Sequence, residues 1–356
     1  MKERIARLQA ALPDGVDGAL ITSDVNRRYY TGFPSSAGTL LVSRSDALLV
    51  IDFRYYEAAK EKIKGCRVLL QDKLGQQLRE AANAMGIRNL LVESDRLTLK
   101  QHRRMDEMLE GVILVGDDRL ADIVALQRSI KSPQEVRAIE KAQHIAEDAF
   151  AKLLEEMAPG QTEQELALRL EYLSRQMGSE GPSFDFIVVS GPNGSRPHGV
   201  PGSRQIERGE LITFDFGAVL DGYHSDMTRT VSIGRPDDLS LEICQVVYSA
   251  QQAAIAAIKA GVNCADVDRA ARNIIDQAGY GHCFGHSTGH SVGLEIHEDP
   301  AFSPLSRSVC RSGMILSVEP GIYIEGKTGC RMEDLVLIGE NGCKNLNKSC
   351  SDLIIL

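Results

Sequence analysis

The chain has 356 residues, 43% of them apolar and 25% charged, with a formal net charge of −9. That length allows two domains with ample core, and the acidic balance argues against nucleic acid or an anionic membrane surface as a partner. There is no apolar run of the roughly 18 residues a membrane span needs, and eight scattered cysteines without a C-x-x-C spacing suit reduced thiols, so a cytoplasmic protein is expected.

The opening MKERIARLQAAL mixes charged and apolar residues as an amphipathic helix does, which predicts a helix over 2–12 and no secretory leader. Apolar runs at 18–22, 39–52, 67–70, 89–92 and 112–115 alternate with helical stretches near 54–64, 73–86 and 98–110. The run 39–52 reads as two strands around Ser43–Asp46. Such alternation predicts an α/β domain over 1–127, one sheet flanked by helices. It carries no phosphate-binding glycine loop and no catalytic constellation.

The boundary falls near 126–132, because Ser132-Pro133-Gln134-Glu135 is a helix start: a cap, proline at the first position, an acidic first turn. In the second domain, 128–356, helices over 134–157 and 162–177 end at Gly160 and Gly178. Helices over 240–260 and 265–278 end at Gly261 and Gly279, both at an offset of 101 residues. This internal duplication predicts an α+β domain of two similar halves about a pseudo-twofold axis.

Strand-like sequence follows each helix pair. In LITFDFGAVLDGYHSDMTRTVSIG, residues 211–234, Asp221-Gly222 is a strong two-residue turn signal. With that turn at the centre, Leu220 faces Tyr223 and Asp215 faces Thr228, so Asp226 shares the face of Asp215. Two carboxylates then stand roughly 7–8 Å apart across one hairpin face. A proton, a cationic side chain or a metal must neutralise them. In the second half a loop centred on Lys327 would place Glu319 opposite Leu335, with Glu319, Glu333 and Arg331 on one face. Between the hairpins, GHCFGHSTGHSVGLEIHEDP holds His282, His286, His290 and His297 among recurrent glycines. Asp215, Asp226, His290, Glu319 and Glu333 form an oxygen-rich donor set suited to Mn²⁺, with Fe²⁺, Co²⁺ or Zn²⁺ as alternatives. It is large enough for two ions about 3.5–4 Å apart, which points to metal-assisted hydrolysis.

The segments DFG-x-x-x-x-GY-x-SD-x-TRT, FGH-x-x-GH-x-x-GLEIHE, VEPGIY and R-x-ED, in this order, resemble the methionine aminopeptidase, aminopeptidase P and prolidase superfamily of metallopeptidases. Its fold is called pita-bread and has a curved antiparallel sheet. NRRYYTGF and IDFRYYEAA resemble the N-terminal domain of the creatinase, aminopeptidase P and prolidase branch. The resemblance implies two divalent ions per chain. Asp215 would bind one with both oxygens, Asp226 and Glu333 would bridge, and His290 and Glu319 would complete the second site. Glu319 would also relay a proton, His297 would stabilise the oxyanion, and His198 would contact the substrate or its leaving nitrogen. His286 and Arg331, with Tyr323 as a weaker match, would form the proline-recognising pocket, and Thr228 would hydrogen-bond a ligand carboxylate.

The implied substrates are short peptides with proline second, cleaved at the Xaa-Pro bond by a hydroxide held between the ions, and the implied assembly is a homodimer. Some prolidases carry an arginine where Ala301 stands, so an aminopeptidase P, acting on peptides of any length, is favoured over a dipeptidase, with Arg331 or a residue of a second subunit as the alternative partner for a dipeptide's carboxylate. The N-terminal domain disfavours a methionine aminopeptidase. The complete ligand set disfavours a non-catalytic binding protein.

Overall fold

The computed structural model describes residues 2–356, and the chain divides into two units, Met1–Arg128 and Ser129–Leu356. In the first, α1 (Lys2–Ala11) leads to β1 (Gly18–Ile21), α2 (Asp24–Thr31), β2 (Thr39–Ser43) and β3 (Ala47–Ile51). Then follow α3 (Phe53–Lys62), β4 (Arg67–Leu70), α4 (Leu74–Ala84), β5 (Asn89–Val92), α5 (Leu99–Met108), β6 (Ile113–Val115) and α6 (Arg119–Ser129). The six strands form one mixed sheet in the order β4-β3-β2-β1-β5-β6. Its middle strands β1, β2 and β3 are buried throughout, as their uninterrupted apolar runs require.

Two helices here were not anticipated. DVNRRYYT has too many polar residues to read as a core-facing helix, yet α2 buries Asn26 and Arg27. Tertiary bonds override the pattern: Glu93, itself buried, accepts from the Thr22 and Ser23 N–H groups and from Asn26. α6 runs to Ser129, through part of the stretch that reads as a boundary.

The second unit opens with α7 (Pro133–Leu154) and α8 (Glu163–Gln176), each started by a reciprocal capping box, Ser132 with Glu135 and Thr162 with Glu165. β7 (Ile187–Ser190), a short 3-10 turn, β8 (Leu211–Phe216), β9 (Val219–Leu220), β10 (Tyr223–His224) and β11 (Met227–Ser232) complete the first half. The second half repeats the plan with α9 (Asp238–Ala257) and α10 (Cys264–Gln277). Its strands are β12 (Gly289–Ser291), β13 (Glu298–Phe302), β14 (Ile315–Val318), β15 (Gly321–Ile324), β16 (Thr328–Arg331), β17 (Asp334–Ile338), β18 (Cys343–Asn345) and β19 (Ile354–Ile355). Glu163 and Cys264, the first residues of α8 and α10, keep the 101-residue offset. Each half has its own apolar cluster, one around Phe150, Phe214 and Phe216, the other around Val247, Phe302 and Leu316. The strands form a four-stranded sheet, β19-β11-β8-β7, and a five-stranded one, β13-β12-β14-β17-β18. β19 is the parallel partner of β11. The architecture is therefore an α/β unit followed by an α+β unit of duplicated halves.

The first hairpin has the expected register, Asp215 opposite Thr228 and Leu220 opposite Tyr223. Asp221 and Gly222 both have positive φ, 51° and 71°, as a type I′ turn requires. The second hairpin differs. Its turn centres on Gly326, so Ser317, and not Glu319, faces Leu335. Arg331 also belongs to β16, not to the strand that follows Glu333. The shift is two residues, a full pleat, so Glu319 and Glu333 remain on one face.

Candidate metal centre and active-site pocket

Asp215 is the penultimate residue of β8 on one strand of the first hairpin, and Asp226 immediately precedes β11 on the other. Glu319 follows β14 and Glu333 precedes β17 in the second hairpin, and His290 is the middle residue of β12. β12 and β14 lie so close that a side chain at Gly289 would collide with the Ser317 carbonyl. All five residues line one cavity of about 680 Å³, a size in the range of pockets that enclose small ligands.

Single ligand atoms of Asp226, His290 and Glu333 lie within 4.8 Å of one another. His290 Nδ1 is 3.1 Å from the Ser291 carbonyl, which can only accept, so Nδ1 carries the proton. The neutral ring then presents the Nε2 lone pair to Asp226 Oδ2 and Glu319 Oε1, each 3.4 Å away. Lone pair and carboxylates can share that space only with a proton or a cation between them.

Three carboxylate oxygens, Asp215 Oδ1, Asp226 Oδ1 and Glu333 Oε1, are buried without a hydrogen-bond donor. Buried acceptors left unpaired are costly and rare. Divalent cations would satisfy all three, and the residues present fit them. The other oxygens are held: Thr228 Oγ1 donates to Glu333 Oε2 at 2.8 Å, and Arg331 Nη2 to Asp215 Oδ2 at 2.5 Å. Arg331 thus orients Asp215, whose Oδ1 is left without a donor.

Burial pushes Asp226 up to about 7, helped by Asp215 and Glu319 and opposed by His290. Burial also raises Asp215 despite the Arg331 guanidinium, and raises Glu333 well above the carboxylate range, next to Asp226, Glu319 and Asp215. His290 goes up to about 9, because the Asp226 and Glu319 carboxylates outweigh a burial that alone would lower it.

His198, His286, His297 and Arg331 line the same cavity. Tyr323 meets its wall through two bonds, accepting from Arg331 Nη1 at 2.8 Å and donating to His286 Nε2 at 2.9 Å. The donor sense is fixed because His286 Nδ1 donates to the Ser287 carbonyl. Burial keeps His286 and His297 below the usual histidine value. His297 stacks obliquely on His290, ring centres 4.4 Å apart. His198 is exposed on a loop anchored by Glu163, whose buried carboxylate accepts from the Ser190 and Gly202 N–H groups and from Asn193.

Two contributions were missed from the sequence. Ser317 accepts from the His290 N–H at 3.0 Å and donates to Glu319 Oε1 at 3.1 Å. Its place two residues before Glu319, on the same strand face, was the available signal. The apolar wall of Phe184, Phe186, Ile187, Val200 and Ile296 gave none, since it comes from three separate segments.

A family description, Metallopeptidase family M24, matches residues 137–340, and Creatinase/Prolidase N-terminal domain matches 4–130. The chain is 42% identical to an uncharacterised peptidase of Bacillus subtilis, over 96% of both chains. It is 37% identical to the Xaa-Pro dipeptidase of Pyrococcus furiosus, over 99% of this chain and 100% of that one. Among solved structures, the Xaa-Pro dipeptidase from Bacillus anthracis superposes with a TM-score of 0.95 at 38% identity, covering 99% of each chain. The X-Pro aminopeptidase from Thermotoga maritima gives 0.90 at 36% identity, covering 96% of this chain and 98% of that one. With its duplicated halves and carboxylate–histidine cluster, the chain belongs to metallopeptidase family M24 and carries the creatinase/prolidase N-terminal domain.

Proposed function

We propose that this protein is an Xaa-Pro aminopeptidase, hydrolysing the bond between the first residue and a following proline. The observation that carries the choice is the state of Arg331. Among the described residues lining the cavity it is the only lysine or arginine. Its guanidinium is already engaged by Asp215, Tyr323, Thr228 and the Pro197 carbonyl. A strict dipeptidase needs a cation for the free carboxylate of its substrate, and Ala301 offers none.

In this reading Asp215, Asp226, His290, Glu319 and Glu333 hold two divalent ions, Mn²⁺ first, within a homodimer. Such ions would lower the pKa of a bound water and polarise the scissile carbonyl. The side chains do the rest. Ser317 steadies Glu319 through Oε1, leaving Oε2 to carry a proton to the departing nitrogen. That nitrogen belongs to proline and has no hydrogen before cleavage, so recognition falls to shape and to the carbonyl. His297 faces the developing oxyanion, and His198 lies on the leaving side. The wall of His286, Tyr323 and Arg331 receives the proline ring, held rigid by its own bonds.

The likeness to the Bacillus anthracis enzyme favours a dipeptidase as the second reading. A paired assay separates them: Mn²⁺-loaded protein on an Xaa-Pro dipeptide and on the matching Xaa-Pro-Yaa tripeptide, with a chelated control. Release of the first residue from the tripeptide is expected. Cleavage of the dipeptide alone would establish the dipeptidase. Activity on neither, with two metals bound, would end the proline-specific reading.

A further inference from the structure

Helix α10 carries an ion pair that reaches the back of the pocket wall. Asp268 is 1% exposed. Its carboxylate receives Arg272, one turn on, in a two-point contact, Nε to Oδ2 and Nη2 to Oδ1, both at 2.9 Å. Oδ1 also accepts from the Thr288 N–H at 3.1 Å and the Thr288 hydroxyl at 2.8 Å. Arg272 then donates forward, Nη1 to the Phe284 carbonyl at 3.0 Å and Nη2 to the His286 carbonyl at 2.9 Å. Its guanidinium lies 4.3 Å over the Phe284 ring. One pair, a buried carboxylate with a partly buried guanidinium, thus fixes backbone groups at 284, 286 and 288, on both sides of His286. The Thr288 carbonyl, accepting from the Glu319 N–H at 2.7 Å, ties the far end of this loop to the neighbouring strand.

Neither Asp268 nor Arg272 lines the cavity. Nor does the first half have such a pair: 101 residues earlier stand Ala167 and Glu171. A pair needed only to seat the second helix on its neighbours would serve both copies. This one occurs only where the following loop carries a pocket histidine.

We propose that Asp268 and Arg272 are positioning residues that hold His286 in the orientation in which it accepts from Tyr323. The loop 284–288 contains Gly285 and neither helix nor strand, so its order comes from these bonds. A guanidinium fork can bridge a carboxylate and two carbonyls at once, which an ammonium cannot. The consequence for catalysis rests on the peptidase reading, because it assumes that His286 meets substrate.

The test uses Arg272→Lys and Asp268→Asn, with Arg269→Lys, on the exposed face of the same helix, as control. Side-chain ¹⁵N NMR of histidine-labelled, metal-free protein reads the His286 tautomer directly. Wild type and the control are expected to show one fixed tautomer with the proton on Nδ1, and both pair variants an exchanging ring, while the His144 signal is unchanged. On Mn²⁺-loaded protein, kcat/KM for an Xaa-Pro-Yaa peptide should fall about 10–100-fold, mostly through KM. An unaltered His286 signal in Arg272→Lys overturns the proposal, as does an equal change at every histidine with a lowered melting temperature. If Asp268→Asn does not fold, Arg272→Lys decides alone. If wild type cleaves no Xaa-Pro peptide, the peptidase reading falls and the NMR result still decides this one.

Discussion

The Ser317 hydroxyl accepts from the His290 backbone and donates to the Glu319 carboxylate, so one small side chain sets two candidate metal ligands relative to each other. Ser317→Ala is expected to weaken divalent-ion binding about 10–100-fold, measured by calorimetric titration, with the fold intact. Titration of the cluster itself gives a pH dependence. Asp226 rises from its ordinary value of 3.8 to about 7, and His290 from 6.5 to about 9. In both, the folded metal-free protein holds a proton that the unfolded chain releases, so the cluster's contribution to stability declines as pH rises from about 4 to about 9. Metal needs those groups deprotonated and binds more tightly over the same range. The melting-temperature gap between Mn²⁺-loaded and metal-free protein should therefore widen from pH 5 to pH 8.5; a constant gap would contradict the assigned cluster. The charged members of the cluster were legible in the sequence because four carboxylates on hairpin faces and a glycine-flanked histidine run have few structural uses together. Ser317 was not, because a serine on a strand has many.

At the scale of elements, the two hairpins carry four of the five candidate ligands, and their registers decide whether those carboxylates meet. The first was readable because Asp221-Gly222 admits one turn geometry, both residues being at positive φ. Gly222→Ala should cost about 1–2 kcal/mol, the strain of a side chain in that conformation, measured by urea unfolding. Glu180, which accepts from the Asp221 and Gly222 N–H groups, adds a brace that no turn rule predicts. The second turn, EGKTG, has glycine at two places, and the sequence alone does not choose between centring on Gly326 and on Lys327. The resulting error changed every cross-strand partner and no strand face, because strand faces repeat every two residues. α2 was illegible for the opposite reason: its bonds to Glu93 join residues about 70 apart, and local pattern carries no trace of them.

At the scale of the whole molecule, the duplication was visible from helix ends alone, since glycine stops recur at a fixed offset. What the offset could not tell is how the copies share work. Asp215 and Asp226 come from the first, His290, Glu319 and Glu333 from the second. Removing divalent ions with a chelator should lower the stability of the second unit, and restoring Mn²⁺ to a hundred times its dissociation constant should return about 2.7 kcal/mol, followed by thermal unfolding. The division of ligands also gives the ions a mechanical meaning. Each copy has its own apolar cluster and its own helix pair, so each is equipped to collapse by itself. The donor set exists only where the copies abut, and there the unsatisfied oxygens of one face those of the other. Metal at that seam would act as a rivet between two similar halves, and amide exchange along β8, β11, β14 and β17 would report its removal as a parting of the copies rather than as a defect in either.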